Sequence, residues 1–241
     1  MAEFVGLSRN LKLAQMNFAA ELSRENLSES ECKARLNEFL SAEIKSPTNL
    51  RKTREILARI WFYDGDEFTK KMRKRATELL LKFPNDAAVV HWCMLLTVYP
   101  IFADIAGIIG RLAEIDGTFT LGKLKEKLYD LLGERTTLDH TTDKIIATIK
   151  NFEIISAEKP GRYKIINHAV NGEEISEFMI MAAMKAEKKN LRKISELNNF
   201  YTLCPFSYEV DKKILHESRE FKITVLGNEP TLFFADNFSG F

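Results

Sequence analysis

The side chains of this sequence that could do chemistry are polar and cationic groups between residues 140 and 162, of the kinds that contact duplex DNA. Lysine can bind a phosphate or a guanine, and threonine and asparagine can pair with base edges. The candidate residues are His140, Thr141, Lys144, Thr148, Asn151, Lys159 and Arg162. Lys159 and Arg162 flank Pro160-Gly161, a stiff turn that would present both charges to a DNA backbone. We therefore predict that this segment binds double-stranded DNA.

A second cluster of positive charge lies between residues 51 and 82, where ten basic side chains are opposed by five acidic ones. Its densest part is the sequence KKMRKR, whose basic residues are Lys70, Lys71, Arg73, Lys74 and Arg75. A helix distributes such charges over more than one face, so the run cannot all point one way. Two interpretations stay open: a solvated helix surface, or a phosphate-binding surface whose contacts release counterions and make binding sensitive to salt.

Two predicted helices must position the first group of candidates. The first has apolar residues at helical spacing: Leu121, Leu124, Leu128, Leu131 and Leu132. Gly133 is expected to end this helix, and Asp139 to cap the next one. The inward positions of the second helix are Thr142, Ile145, Ile146 and Ile149. Its candidate DNA-binding residues then face the other way, close to Asp139 and Asp143, whose carboxylates would oppose the approach of phosphate.

Alternating residues after the second helix predict a two-stranded hairpin. FEIIS and RYKII are the strands, and residues 158–161 form the turn. Helix, turn, helix and basic-tipped hairpin together are the layout of a winged helix, which places its second helix in the major groove and its hairpin on the adjacent backbone. The same layout could instead serve only to bind other proteins.

The rest of the sequence predicts helices before this unit and a mixed region after it. Ser28 begins a capping box, Thr48 or Asn49 can cap a third helix, and a fourth helix is expected over 67–83. Near the C-terminus a helix over 175–198 precedes a β-hairpin, EFKITVL and TLFFAD. We therefore expect a mostly α fold in three parts, namely an N-terminal helical bundle over 1–114, a central winged helix-turn-helix over 115–168, and a small α+β C-terminal region over 169–241.

One apolar stretch, residues 87–109, is nearly long enough to span a bilayer. It contains a histidine, a proline and an aspartate, and an aspartate at the membrane centre costs about 2.5–3.5 kcal/mol on insertion scales. A buried helical hairpin divided at Pro100, with helices over roughly 86–98 and 101–114, is therefore favoured over a membrane span.

Composition and motifs argue against several functional classes. A net charge of +1 gives no global attraction to DNA, so binding needs a local patch. Three scattered cysteines suit a reducing cytoplasm and argue against a zinc ribbon or a disulfide framework. We recognise no secretory signal, phosphate loop, HExxH or GxSxG motif, and His91 and Cys93 are expected to pack in the core. We therefore expect a cytoplasmic, non-enzymatic protein with no cofactor and no metal.

The order of these elements resembles that of the BrxA-like family of BREX phage-exclusion systems. The segments that carry the resemblance lie within residues 7–166 and are LSRNLKLAQMNFAAELSRENLSESECKARL, NLRKTREILARIW, VVHWCMLLTVYPIFADIAGIIGRL and LDHTTDKIIATIKNFEIIS. The resemblance implies a non-enzymatic, DNA-binding accessory protein of a bacterial phage-defence system. It also implies other BREX-type proteins as partners. We expect no binding to a membrane.

Two other functions stay open at this point. The winged helix and the C-terminal region could dock protein partners, in which case an exposed apolar patch would be expected on the outer face of the second helix. Alternatively, the protein could be a transcription regulator that binds one operator as a dimer, which predicts a symmetric assembly and a large ratio of specific to nonspecific affinity. We recognise no dimerisation heptad that would support the second alternative.

Overall fold

A computed structural model of the chain describes residues 6–25, 27–210 and 212–235. The protein is mostly helical, and its described strands form three small β-sheets. The expected coarse fold class, mostly α with strands in the C-terminal part, is therefore confirmed. Asp236, which ends the predicted C-terminal hairpin, lies outside the described residues.

Four helices begin the structure: α1 (Leu13–Leu22), α2 (Glu29–Ser41), α3 (Pro47–Trp61) and α4 (Glu67–Lys82). The capping box at α2 is confirmed, because Ser28 accepts a hydrogen bond from the backbone amide three residues later. The predicted caps of α3, Thr48 and Asn49, are wrong. Ser46 caps this helix instead, since Pro47 is suited to the first helical position, where no backbone N–H is needed.

The apolar stretch forms two helices, α5 (Ala87–Val98) and α6 (Pro100–Ala113), which confirms the hairpin divided at Pro100. Among the described residues no single helix is long and apolar enough to cross a bilayer. Residues 84–98 and 100–113 would be so together, but the chain bends by 120° between them. Most side chains of both helices are buried in the protein.

His91 lies in the core of this helical region, as expected. Its ring is fully buried, its Nε2 lies 2.6 Å from Asn17 Oδ1, and it meets the Trp61 ring edge-on with centroids 5.6 Å apart. Burial lowers the pKa of His91 to about 3, so the imidazole is neutral at physiological pH. Cys93 is also fully buried, and burial raises the pKa of its thiol. Both side chains therefore contribute packing.

The central unit, which we define as residues 118–165, contains five elements. They are β1 (Thr118–Thr120), α7 (Leu121–Leu132), α8 (Thr136–Asn151), β2 (Ile155–Lys159) and β3 (Arg162–Ile165). The strands form an antiparallel sheet in the order β1-β3-β2. Phe119 of β1 pairs with Tyr163 of β3, and their rings stack with centroids 5.3 Å apart. The short strand β1 has no counterpart in the predicted elements.

Both helices of the central unit and the second strand of the hairpin lie close to where the sequence predicts them. The first strand does not: it was predicted over 152–156 but runs from Ile155 to Lys159, because Phe152 still ends α8 and Glu153 takes a positive φ of 59°.

All four predicted inward residues of α8 are buried, but Leu131 of α7 is 56% exposed. The predicted cap of α8, Asp139, is wrong because the helix begins one turn earlier, at Thr136. Leu138, which is 2% exposed, belongs to this extra first turn and anchors it in the core.

The described part of the C-terminal region contains two further α-helices, α9 (Glu173–Ala186) and α10 (Lys212–Glu217). Its strands are β4 (His168–Ala169), β5 (Leu191–Lys193), β6 (Phe206–Ser207), β7 (Phe221–Leu226) and β8 (Glu229–Phe234). The hairpin β7-β8 is confirmed. The predicted continuation of α9 to residue 198 is wrong, because the helix ends at Ala186 and residues 191–193 pair with β8. Lys188 takes a positive φ of 54° at this change of direction.

α9 connects the C-terminal region to the helical bundle. Every residue from Ile175 to Met184 is buried, and the helix packs against α4 and α5. One continuous cluster of buried apolar residues includes side chains from all three predicted parts of the chain. The C-terminal region therefore completes the core of the N-terminal helices.

Candidate nucleic-acid interface

The outward face of α8 carries only part of the polar group predicted to meet bases. His140 is exposed and Lys144 is half-buried, and within the described residues no ion pair is seen for Lys144. Ala147 lies one turn further along the same face, and Lys150 is exposed beyond it. This face is polar, with no large exposed apolar patch of the kind a protein-docking helix would present.

Thr141 and Thr148 are wrong as predicted base contacts, because they are 3% and 0% exposed. The Thr148 hydroxyl donates to the Lys144 carbonyl at 2.9 Å and accepts from the Leu11 amide at 2.9 Å. Asn151 is exposed, but its side-chain amide donates to the Leu11 carbonyl at 2.8 Å. The backbone N–H and C=O of Leu11 are thus both hydrogen-bonded to side chains of α8. Thr148 and Asn151 therefore fix the N-terminal segment against this helix.

The hairpin β2-β3 presents the two cations that the sequence assigns to it. Lys159 is exposed at the end of β2, next to a turn in which Gly161 has a φ of 75°. Arg162 is half-buried: it donates to Glu158 at 3.1 Å and to the Thr118 hydroxyl at 3.0 Å, with Asp116 at 3.7 Å. Partly exposed ion pairs of this kind contribute little to stability, so a phosphate can replace the carboxylates.

Lys164 is a further cation of this surface that the sequence analysis missed. It is exposed, it pairs across the sheet with Thr118 and Ser156, and it makes no ion pair within the described part of the chain. Alternation along a strand places Lys164 on the same face as Arg162, opposite to the partly buried ring of Tyr163. The alternating pattern of RYKII was the signal that could have identified it.

Lys125 of α7 contacts the two acidic side chains that the sequence places against phosphate. Its Nζ lies 3.1 Å from Asp139 Oδ1 and 3.0 Å from Asp143 Oδ1, and the Tyr129 hydroxyl also donates to Asp139. The hydrogen bonds from Tyr129 and Lys125 hold the pKa of Asp139 below its ordinary value. Burial alone would lower the pKa of Lys125, but its bonds to Asp143 and Asp139 raise it. Asp139 and Lys125 are therefore both charged at neutral pH.

The basic run on α4 is largely engaged inside the protein. Arg73 donates to the carbonyls of Ile60 and Arg59, each at 2.7 Å, and to that of Tyr63, so it closes the C-terminal end of α3. Arg75 pairs with Glu177 of α9. These contacts fix α4 to its neighbours.

The three lysines of this run differ from one another. Lys71 pairs with Glu220 at 2.6 Å, Lys70 pairs with Glu67 at 3.1 Å on the surface, and Lys74 is exposed. The phosphate-binding interpretation is therefore wrong for Arg73 and Arg75, because their guanidinium groups are bonded within the protein. For Lys70, Lys71 and Lys74 it stays a prediction, since a partly exposed ion pair such as that of Lys71 does not prevent a phosphate contact.

The chain matches no protein-family model, no curated protein and no solved structure. The resemblance to the BrxA-like family therefore stays an expectation. What supports a function is the geometry of the central unit.

Proposed function

We propose that the protein is a non-catalytic DNA-binding protein and that its central unit, with α6, is a winged helix that docks on duplex DNA. The observation that carries the proposal is the element order α6-β1-α7-α8-β2-β3 combined with the sheet order β1-β3-β2. In this layout the helix before the hairpin enters the major groove, while the hairpin lies along the neighbouring backbone. α8 has 16 residues, a length of about 24 Å, which suffices to follow the groove.

The proposed contacts divide into two kinds. His140 and Lys144 of α8 approach base edges or the groove walls. Lys159, Arg162 and Lys164 of the hairpin bind phosphates, which position the protein without specifying sequence. Since phosphate contacts outnumber base contacts in this set, we expect the affinity to depend strongly on salt.

The wider role we propose is that of an accessory protein in a bacterial phage-defence system of the BREX type, acting in the cytoplasm with other proteins of that system. The resemblance to the BrxA-like family supports this part of the proposal. The polar outer face of α8 favours DNA over a protein as the partner of that helix, because a protein-docking helix would expose apolar anchors there.

The test is a fluorescence-anisotropy titration of the full chain with a mixed-sequence duplex of about 30 base pairs at several salt concentrations. We expect binding that weakens steeply with salt, and weaker binding with a smaller salt slope in Lys159→Ala/Arg162→Ala. The matched control is Lys45→Ala/Lys222→Ala, which removes two exposed charges outside both basic regions and should leave binding close to that of the wild type. Absence of binding even at low salt would overturn the proposal.

A further inference from the structure

Two carboxylates lie on α8 among the side chains proposed to approach DNA. Asp139 is in the first turn of the helix, and the Asp143 side chain is 49% exposed on its outward side. The helix carries two cations, Lys144 and Lys150, so its own charged groups balance to zero apart from His140. A helix of zero net charge, with its acidic residues toward its N-terminal half, would be a poor partner for a phosphate-lined groove.

Lys125, on the neighbouring helix α7, adds a positive charge that changes the charge balance at the surface of α8. One ammonium group lies within 3.1 Å of both carboxylates, so it adds a positive charge at the point where α8 is most acidic. Its side chain is 22% exposed, between the two helices, where water and salt screen the interaction less than at an open surface. The Tyr129 hydroxyl, one turn further along α7, also donates to Asp139, so that carboxylate is held by two donors.

We propose that Lys125 is a positioning residue of the DNA interface: it holds Asp139 and Asp143 against α7 and compensates their charge, so that Lys144 and Lys150 determine the field that α8 presents. Lys125 itself contacts no DNA in this proposal. The inference rests on the proposed function, because it explains how an acidic helix N-terminal half can be tolerated next to phosphates.

The experiment measures the affinity of full-length variants for the same duplex of about 30 base pairs at low salt. Lys125→Met keeps the length of the side chain but removes its charge, and we expect binding to weaken about tenfold. Lys125→Arg, which keeps the charge, should bind within about twofold of the wild type. Lys125→Met/Asp143→Asn should recover most of the loss, which a purely structural role for the ion pairs would not predict.

Asp143→Asn in the wild-type background gives an independent measurement. We expect it to bind more tightly than the wild type, because one negative charge is removed and Lys125 still compensates Asp139. If Lys125→Met does not fold, this variant decides: tighter binding supports the inference, and unchanged or weaker binding overturns it. Wild-type affinity in a folded Lys125→Met also overturns it. A wild-type protein that binds no DNA overturns the proposed function as well, and this result is distinguishable because no variant then binds.

Discussion

The basic run of α4 and the central unit differ in what their cations are bonded to. On α4, Arg73 is held by three backbone carbonyls and Arg75 by a carboxylate of α9. On the central unit, Lys144, Lys159 and Lys164 make no ion pair within the described residues. The density of charge in a sequence therefore measures how many cations an element carries, and the structure determines how many are available to a partner. Arginine makes the difference larger, because its five donors suit it to internal bonding.

The largest effect is expected from replacing Arg75 with alanine, which leaves Glu177, 7% exposed, without its cation. Breaking a buried pair by removing one partner costs about 3–5 kcal/mol in the free energy of unfolding. Urea unfolding monitored by circular dichroism measures it. Lys74→Ala, which removes an exposed charge from the same helix, is the control and should stay within about 0.5 kcal/mol of the wild type. A small loss of unfolding free energy in Arg75→Ala would mean that the pair with Glu177 does not hold the guanidinium firmly. Arg75 would then again be a candidate phosphate contact.

A second test separates internal from external roles within α8. Thr148→Val keeps the shape of the side chain but removes the acceptor for the Leu11 amide, so we expect the free energy of unfolding to fall by about 1–2 kcal/mol. DNA affinity should not change, because the side chain is fully buried. Thr137→Val, at an exposed position of the same helix, is the matched control. Loss of DNA affinity with unchanged stability would mean that Thr148 contacts DNA after all.

Removing Lys164 tests the cation that the structure adds to the hairpin surface. Lys164→Ala should weaken binding about threefold and reduce the slope of log affinity against log salt by about 0.9, the change expected for one phosphate contact. Anisotropy titrations at four salt concentrations measure both quantities. Lys222→Ala, at an exposed position of β7, removes the same charge elsewhere and serves as the control. An unchanged salt slope in Lys164→Ala would remove this residue from the interface.

The smallest effect is expected from Lys70→Ala/Lys74→Ala, which removes the two exposed lysines of the α4 run. If the central unit alone binds DNA, affinity should change less than about twofold, through the lower net charge only. The same titration measures it. A loss as large as that of Lys159→Ala/Arg162→Ala would show that α4 shares in the binding surface.

The elements were predictable from the sequence where local patterns decide them. The isoleucines of α8 and the alternation in RYKII determine which side of each element is buried, and Pro100 divides the apolar stretch. Contacts between distant segments were not predictable. The helical pattern after Ala186 gave no sign that residues 191–193 would pair with β8, because strand pairing there overrides local helix propensity.

The candidate site shows the same division between local patterns, which the sequence reveals, and contacts with distant segments, which it does not. The location of Lys144, Lys159 and Arg162 at accessible positions follows from periodicity, whereas the burial of Thr148 depends on a segment 137 residues away. Lys125 was missed for the same reason, since its partners lie on the next helix and no spacing within α7 indicates them. The residue pattern of one chain shows which face of a helix is apolar, but it does not show which side chains of other elements cover the polar face.

The two hydrogen bonds between α8 and the backbone of Leu11 have a consequence for the order of folding. The hydrogen bond to Thr148 closes a loop of 137 residues, and closing a chain of this length costs about 4 kcal/mol of conformational entropy if nothing between has folded. The Leu11 segment is synthesised before α8, so both of its hydrogen bonds to that helix must wait until α8 has been made. We therefore expect this contact to form after the helices between them have shortened the effective loop, which makes it a late step on the folding pathway.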